Sequence, residues 1–545
     1  MTTSPNPSLL ITGARVYTAD PANPWAEAVV TQGNTIAFVG SEADARNGAP
    51  AGAEEIRLNG GLVVPGLNDA HVHMNFGSYN LTILSFEGVF DLGELQARLR
   101  EYAAANPDRT WIEGWGLPYE ALLELERPRE ALDEAVADRP VYIKAFDGHS
   151  AWCNTAGLRA AGIERGADVP LPNEVVVDPA TGLATGMLKE DLAKVIVDRA
   201  IGAPTDEDLD NQLCIGMRHL NRLGVTSAAD MMSARYRLEQ VERLLQRGDV
   251  TVRHHHYIHI REEMPRDYIQ EALALTKEFT GPWNHTNGIK MFIDGVVEAK
   301  TAWMTTPYAD GTDDVGVPDM TPDYYREVCI EAHRLGMDVA THAIGEQGVR
   351  WAVQSYIAAQ EAAGGRHGRR HRVEHIETSH PEDLPLFGRY GITASMQPLH
   401  AAPTTDPRDT PWTRNVGPAR EINAFPWRRL LETGARLAFG SDWPIVTADV
   451  RTGLHTAVTR RNQQGEPADG WQPQLSVTLS QALDAYTTGA AYAEGQDDVK
   501  GMLRPGMLAD IAAFGEDLFA IEPAAILNVP VTLTVVDGRV VHQEL

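Results

Sequence analysis

The stretch GLNDAHVH, residues 66–73, follows the apolar run GLVV at 61–64 and ends in two histidines one residue apart. In an extended strand, residues i and i+2 point to the same side, so His71 and His73 would present two imidazoles in one direction at the strand's end. An HxH pair also arises by chance in surface loops, and its meaning turns on whether partners recur elsewhere in the chain.

They do. Seven further apolar, strand-like runs follow: GVTSAADM (224–231), VRHHHYIHI (252–260), GIKMFIDG (288–295), DVATHAIG (338–345), HRVEHIE (371–377), GITASMQ (391–397) and ARLAFGSDW (435–443). They alternate with stretches of helical periodicity such as REVCIEAHRLG (326–336) and EQGVRWAVQSYIAAQEA (346–362). Alternating strands and helices predict a parallel sheet, and eight such units predict an α/β (β/α)8 TIM-like barrel, with GLVVPGLNDAHVH (61–73) as its first strand. The starts of the seven later strands lie about 20–50 residues apart, near the roughly 30 residues of one unit. The first gap is far longer, which predicts an insertion after barrel strand 1, residues 76–205, covering the substrate side of the barrel.

Both ends of the chain have a different texture. Residues 8–65 read as short strands broken by Gly and Asn, and VTLTVVDGRVVHQ (531–543) places Asp537-Gly538 between two Val-rich runs. Asp-Gly suits the positive φ angles of a type I′ hairpin turn. The expectation is a small discontinuous β-sandwich from residues 1–65 and 496–545, with the barrel occupying 66–495. A chain of 545 residues is well beyond the size of one hydrophobic core.

Composition narrows the function. With 47 basic and 75 acidic residues the formal charge is -28, which opposes binding to phosphate backbones or anionic lipid. No run approaches the ~18 apolar residues of a membrane span, and the N-terminus lacks the basic and apolar regions of an export signal. The three cysteines, Cys153, Cys214 and Cys329, are widely separated and form neither a disulfide framework nor a zinc knuckle. A soluble cytoplasmic protein without nucleic-acid or membrane partners is expected, with a homodimer as the base-rate assembly.

The later strands end in chemically similar groups: His342 in DVATHAIG, His375 in HRVEHIE and Asp442 in LAFGSDW. The carboxyl ends of the strands are where a barrel keeps its active site. Four histidines and an aspartate there resemble a divalent-metal site, since neutral imidazole and carboxylate both suit zinc and similar ions. The plainer alternative is a set of separate rim residues bonded to water or backbone. Lys290 adds an oddity, because a strand buried on both faces should not hold an unpaired ammonium. Burial favours the neutral amine, which can take up carbon dioxide as a carbamate and bridge two metals; a salt bridge to a rim acid such as Asp294 is the alternative.

GLNDAHVH, GIKMFIDG, THAIGE, HRVEHIE, GSDWP and the closing GMLRPGMLADIAAF together resemble the amidohydrolase superfamily, and within it amidohydrolase family 3, in the branch of the N-substituted formamide deformylases. The resemblance implies the barrel, the sandwich and the insertion. It also implies two divalent metals, zinc by default, with His71, His73 and Asp442 on one, His342 and His375 on the other, and a carboxylated Lys290 between them. The implied reaction is hydrolysis of a linear amide, such as an N-substituted formamide, to a carboxylate and an amine. Asp442 would take the proton of the attacking water and pass it to the leaving nitrogen. Resemblance further brings the D-x-H stretch KAFDGHSAWCN, with Asp147 and His149, toward the site. Trp115 and Trp443 are candidate aromatic walls for an apolar substituent on this small-molecule substrate. Two readings compete: hydrolysis of a cyclic amide, carbamate or ester, and a non-catalytic binding or regulatory protein on the same fold. The histidine-rich VRHHHYIHI reads as mainly structural, with His254 and His256 facing one way and His255 and His259 the other.

Overall fold

The computed structural model describes residues 7–122, 125–145, 148–170, 173–402 and 406–544. Two compact units emerge, one formed by Met1–Met74 with Met217–Leu545 and the other by Asn75–Gly216.

The first unit contains eight parallel strands: β1 (Leu67–Val72), β2 (Val225–Ser233), β3 (Arg253–His259), β4 (Asn284–Phe292), β5 (Asp338–Ala343), β6 (Arg372–His375), β7 (Thr393–Met396) and β8 (Leu437–Phe439). Each pairs with its sequence neighbour in order from β1 to β8. A parallel bridge between Val72 and Trp443 brings the last strand back to the first and closes the barrel. Every strand from β2 to β8 is followed by a helix, and Glu346–Ala363 after β5 shows why these stretches are helical. It buries Val349, Ala352, Val353, Tyr356 and Ala359 along one face and stops at Gly364, whose φ of 76° is a left-handed cap.

The apolar run at 61–73 differs from the single strand that its sequence predicts. It divides at Gly66, with Leu62–Pro65 in a sheet of the terminal sandwich and Leu67–Val72 in the barrel. Close packing dictates the residue at the junction: a Cβ on Gly66 would lie 2.3 Å from Thr226 Oγ1 and 2.9 Å from Asp510 Cβ.

The sandwich draws on both termini. A four-stranded sheet is built from residues 9–57, while a six-stranded sheet joins Leu62–Pro65, Arg15–Tyr17 and Trp25–Ala26 edge to edge with Ile511–Phe514, Val531–Val536 and Arg539–Gln543. Leu9, Ile11, Val29 and Ile56 of one sheet share a core with Val63, Ile511, Leu533 and Val535 of the other. The hairpin turns at Asp537 (φ 57°) and Gly538 (φ 73°), both positive as a type I′ turn requires.

The unit Asn75–Gly216 has its own six-stranded sheet. Alternation along Val141–Ala145 supplies two cores, with Val141 and Ile143 packed among Phe86, Leu99 and Trp152, and Tyr142 among Leu158, Leu188 and Val197. Among the described residues no cysteine forms a disulfide and no helix is long and apolar enough to cross a membrane.

Candidate metal centre

His71 is the penultimate residue of β1 and His73 follows that strand directly. Their Nε2 atoms lie 3.3 and 3.0 Å from the same oxygen, Asp442 Oδ1. Asp442 is aimed there by the loop after β8: its N–H donates to the His71 carbonyl at 2.7 Å, and the His73 N–H donates to the Trp443 carbonyl at 2.8 Å. Gly440 allows this approach, since a Cβ there would sit 2.5 Å from the His71 nitrogen. Asp442 (φ 66°) and His375 (φ 72°) both occupy the left-handed region that side chains ordinarily avoid, so each carries local backbone strain.

Behind His71 lies a buried charge network. Glu374 accepts from His71 Nδ1 at 2.7 Å and from Arg372 Nε at 2.6 Å, and Arg372 also reaches Ser395 Oγ and the Ala70 carbonyl. Burial alone would raise the Glu374 carboxyl, but Arg372 and then His71 hold it well below the usual range. An ionised carboxylate only accepts hydrogen bonds, so Nδ1 of His71 carries the proton and Nε2 presents its lone pair. That lone pair faces Asp442 Oδ1. Burial opposes ionisation of Asp442, yet the charge of His71 in its protonated form, with the hydrogen bond and charge of His73, outweighs it and leaves the carboxyl well below its ordinary value, so Asp442 is already ionised when His71 loses its proton.

His342 and His375, at the ends of β5 and β6, pack with ring centroids 4.4 Å apart, and His375 lies 4.9 Å from His71. His342 donates through Nε2 to the Gly295 carbonyl at 3.1 Å, leaving Nδ1 as its free nitrogen. Burial pushes His71 down to about 4 and His342 to about 3. Both are therefore neutral near pH 7. Lys290 is fully buried on β4, with Nζ 4.6 Å from the Phe292 ring centre. The salt-bridge alternative is not realised: Asp294 accepts instead from the backbone N–H groups of Trp303, Ile344 and Gly345, and Lys290 Nζ has no hydrogen-bond partner among the described residues. Burial lowers the Lys290 ammonium to about 8, against the opposing pull of Glu374 and Asp442.

The structure thus brings His71, His73, Lys290, His342, His375 and Asp442 to one end of the barrel. It adds His400, from the turn Pro398–Ala401 after β7, whose Nε2 is 3.6 Å from Asp442 Oδ2 and whose ring stacks on His375 at 5.8 Å. Burial lowers His400, but its contact with Glu377 and the charge of Asp442 bring it above the ordinary histidine value.

Residues 54–542 match the amidohydrolase family. The chain belongs to that family. It is 27% identical to the Bacillus subtilis protein YtcJ, covering 98% of this chain and 99% of the relative. To the N-substituted formamide deformylase of Arthrobacter pascens it is 24% identical, over 97% of each chain. Its fold is similar to that of an uncharacterized metal-dependent hydrolase from Pyrococcus horikoshii OT3, with a TM-score of 0.75, 23% identity, and coverage of 95% of this chain and 99% of the other.

In this family member the remaining predicted residues fall in varied surroundings. Trp443 is buried and stacks on His219 at 5.5 Å. Trp115 is buried in the second unit, edge-on to Phe76 at 5.1 Å, while His149 is largely exposed with Nδ1 3.1 Å from Glu190. Asp147 lies outside the described residues. In β3, His254 and His256 stack parallel at 5.8 Å, and His255 pairs with His285. Arg372 and Glu374 were missed although the signal existed, since two charges inside a buried strand raise the same question as Lys290. His400 sits beyond a strand end in a Pro-started turn, where no periodicity aims a side chain.

Proposed function

We propose that the chain is a metal-dependent hydrolase cleaving a linear amide C–N bond, with N-substituted formamides the first class to test. One observation carries the reading. The His71 Nε2 lone pair and the ionised Asp442 Oδ1 are two acceptors facing each other at 3.3 Å in a buried site, an arrangement that a cation between them would relieve. The donor set fits a divalent ion in other respects. His375 Nδ1, Asp442 Oδ1 and Lys290 Nζ are all buried without hydrogen-bond partners among the described residues.

His71, His73 and Asp442 would hold one ion, and His342 and His375 the second, with Lys290 between them. Zinc suits this mixture of imidazole and carboxylate. Bound divalent ions supply water activation at neutral pH and polarise the substrate carbonyl. The chain's own groups do the rest. The neutral Lys290 amine attacks carbon dioxide, forming an N–C bond as one C=O π bond opens, and releases one proton to solvent to leave a carbamate anion. Asp442, kept ionised by its neighbours, takes the proton of the attacking water and delivers it to the leaving nitrogen, so that the amine departs neutral. Glu374 and Arg372 hold His71 in the tautomer that leaves Nε2 free.

The test is a parallel assay of N-substituted formamides, acetamides, lactams, carbamates and esters with zinc- or manganese-loaded protein. Release of amine from linear amides is expected, and Asp442→Asn with its metals retained should lose about 10²–10⁴-fold or more. Turnover confined to lactams, carbamates or esters would overturn the linear-amide assignment. Unimpaired turnover by Asp442→Asn would overturn the role of that carboxylate.

A further inference from the structure

His400 is built into the centre in the same way as His71. Its Nδ1 faces Glu377 Oε1 at 3.5 Å, and Glu377 is anchored through its other oxygen by Trp412 Nε1 at 2.7 Å. Its Nε2 points to Asp442 Oδ2 at 3.6 Å and is buried with no hydrogen-bond partner among the described residues. Around His71 the order is the same: an anchored carboxylate, Glu374, behind Nδ1, and Asp442 in front of Nε2. A carboxylate behind one ring nitrogen is what orients a metal-ligating histidine and raises its basicity. One ligand atom from each of His375, His400 and Asp442 lies within 4.8 Å of the others, as is also true of His71, His73 and Asp442. Asp442 faces His71 and His73 with Oδ1 and His400 with Oδ2.

We infer that His400 is a direct ligand of the divalent cation held by His375, with its ring oriented by Glu377. The inference rests on the metal-dependent reading above and adds a ligand to it. With His342, His375 and a Lys290 carbamate, His400 would be a fourth group of the chain holding that ion. Glu377 is a positioning residue here, acting through His400.

The experiment is cobalt(II) titration of the metal-free full chain, read by visible absorption and by metal content after dialysis, for wild type, His400→Ala, His400→Gln and Glu377→Gln. Wild type should retain about two ions and His400→Ala about one, with altered cobalt bands, and added imidazole should restore the second. Glu377→Gln should weaken one equivalent by about 10–100-fold while leaving the other unchanged. Thermal melts of the metal-free proteins establish folding, and if His400→Ala does not fold, His400→Gln and Glu377→Gln decide. Wild-type stoichiometry, affinity and spectrum in all folded variants would overturn the inference alone. A wild-type chain that takes up no cobalt would overturn the metal-dependent reading itself, and this inference with it.

Discussion

Removing Arg372 tests the electrostatic framework behind His71. Arg372 and Glu374 are both fully buried and joined by contacts of 2.6 and 3.2 Å. Arg372→Met keeps the volume of the side chain and leaves Glu374 with His71 Nδ1 as its remaining polar partner in this network. Leaving one buried ion without its partner costs about 3–5 kcal/mol, whereas replacing both partners by apolar groups costs less. Arg372→Met with Glu374→Leu should therefore be less destabilised than the two single changes summed, by up to about 3 kcal/mol. The His71 N–H left without an acceptor sets a residual cost of about 1–3 kcal/mol. The sign with pH follows from the direction of the Glu374 shift. Its carboxyl is depressed in the folded chain, so its contribution is complete above the unfolded glutamate value of about 4.3 and is lost as pH falls below it. Urea unfolding of the metal-free proteins, followed by far-ultraviolet circular dichroism at pH 7 and pH 4, measures these differences. An Arg372→Met transition within about 0.5 kcal/mol of wild type would show that the pair is not desolvated and would refute the reasoning.

Other perturbations probe the site from different sides. Gly440→Ala places a methyl group against the His71 backbone and the Asp69 carboxylate; a cost of about 1–3 kcal/mol and weaker zinc binding are expected in denaturant and chelator-competition titrations. Because burial sets His71 at about 4 and His342 at about 3, calorimetry at pH 6 in buffers of different ionisation enthalpy should find almost no proton release from them on zinc binding, where ordinary histidines near 6.5 would release most of one each. The same lowered values mean that the contribution of His71 and His342 to the stability of the metal-free chain is complete above pH 6.5 and declines as pH falls toward 4, which melting series of wild type and of His71→Gln and His342→Gln read by difference. Lys290, set at about 8, should form a carbamate with labelled bicarbonate increasingly as pH rises through 8, and a carbon-13 carbamate signal absent from Lys290→Met measures it.

The barrel was legible because strand runs and helical stretches alternate, and because histidines and an aspartate recur at strand ends. What escaped the sequence depends on closure in three dimensions. The run at 61–73 looks continuous, and only the packing of Gly66 against Thr226 and Asp510 explains why it changes sheet there. His71, His73, His342 and His375, which are proposed to hold metal, could be brought to one end of the barrel because strand periodicity aims them. His400 and Glu377 could not, because turns give no such direction. Arg372 and Glu374 were readable in principle, as charges in a strand whose neighbours are all buried.

The most direct measurement of the central claim is metal content by plasma mass spectrometry, on protein purified without chelator in bicarbonate buffer. The account predicts about two divalent ions per chain. A metal-free chain that also fails to take up added zinc or manganese would contradict it and leave a binding protein on an amidohydrolase fold.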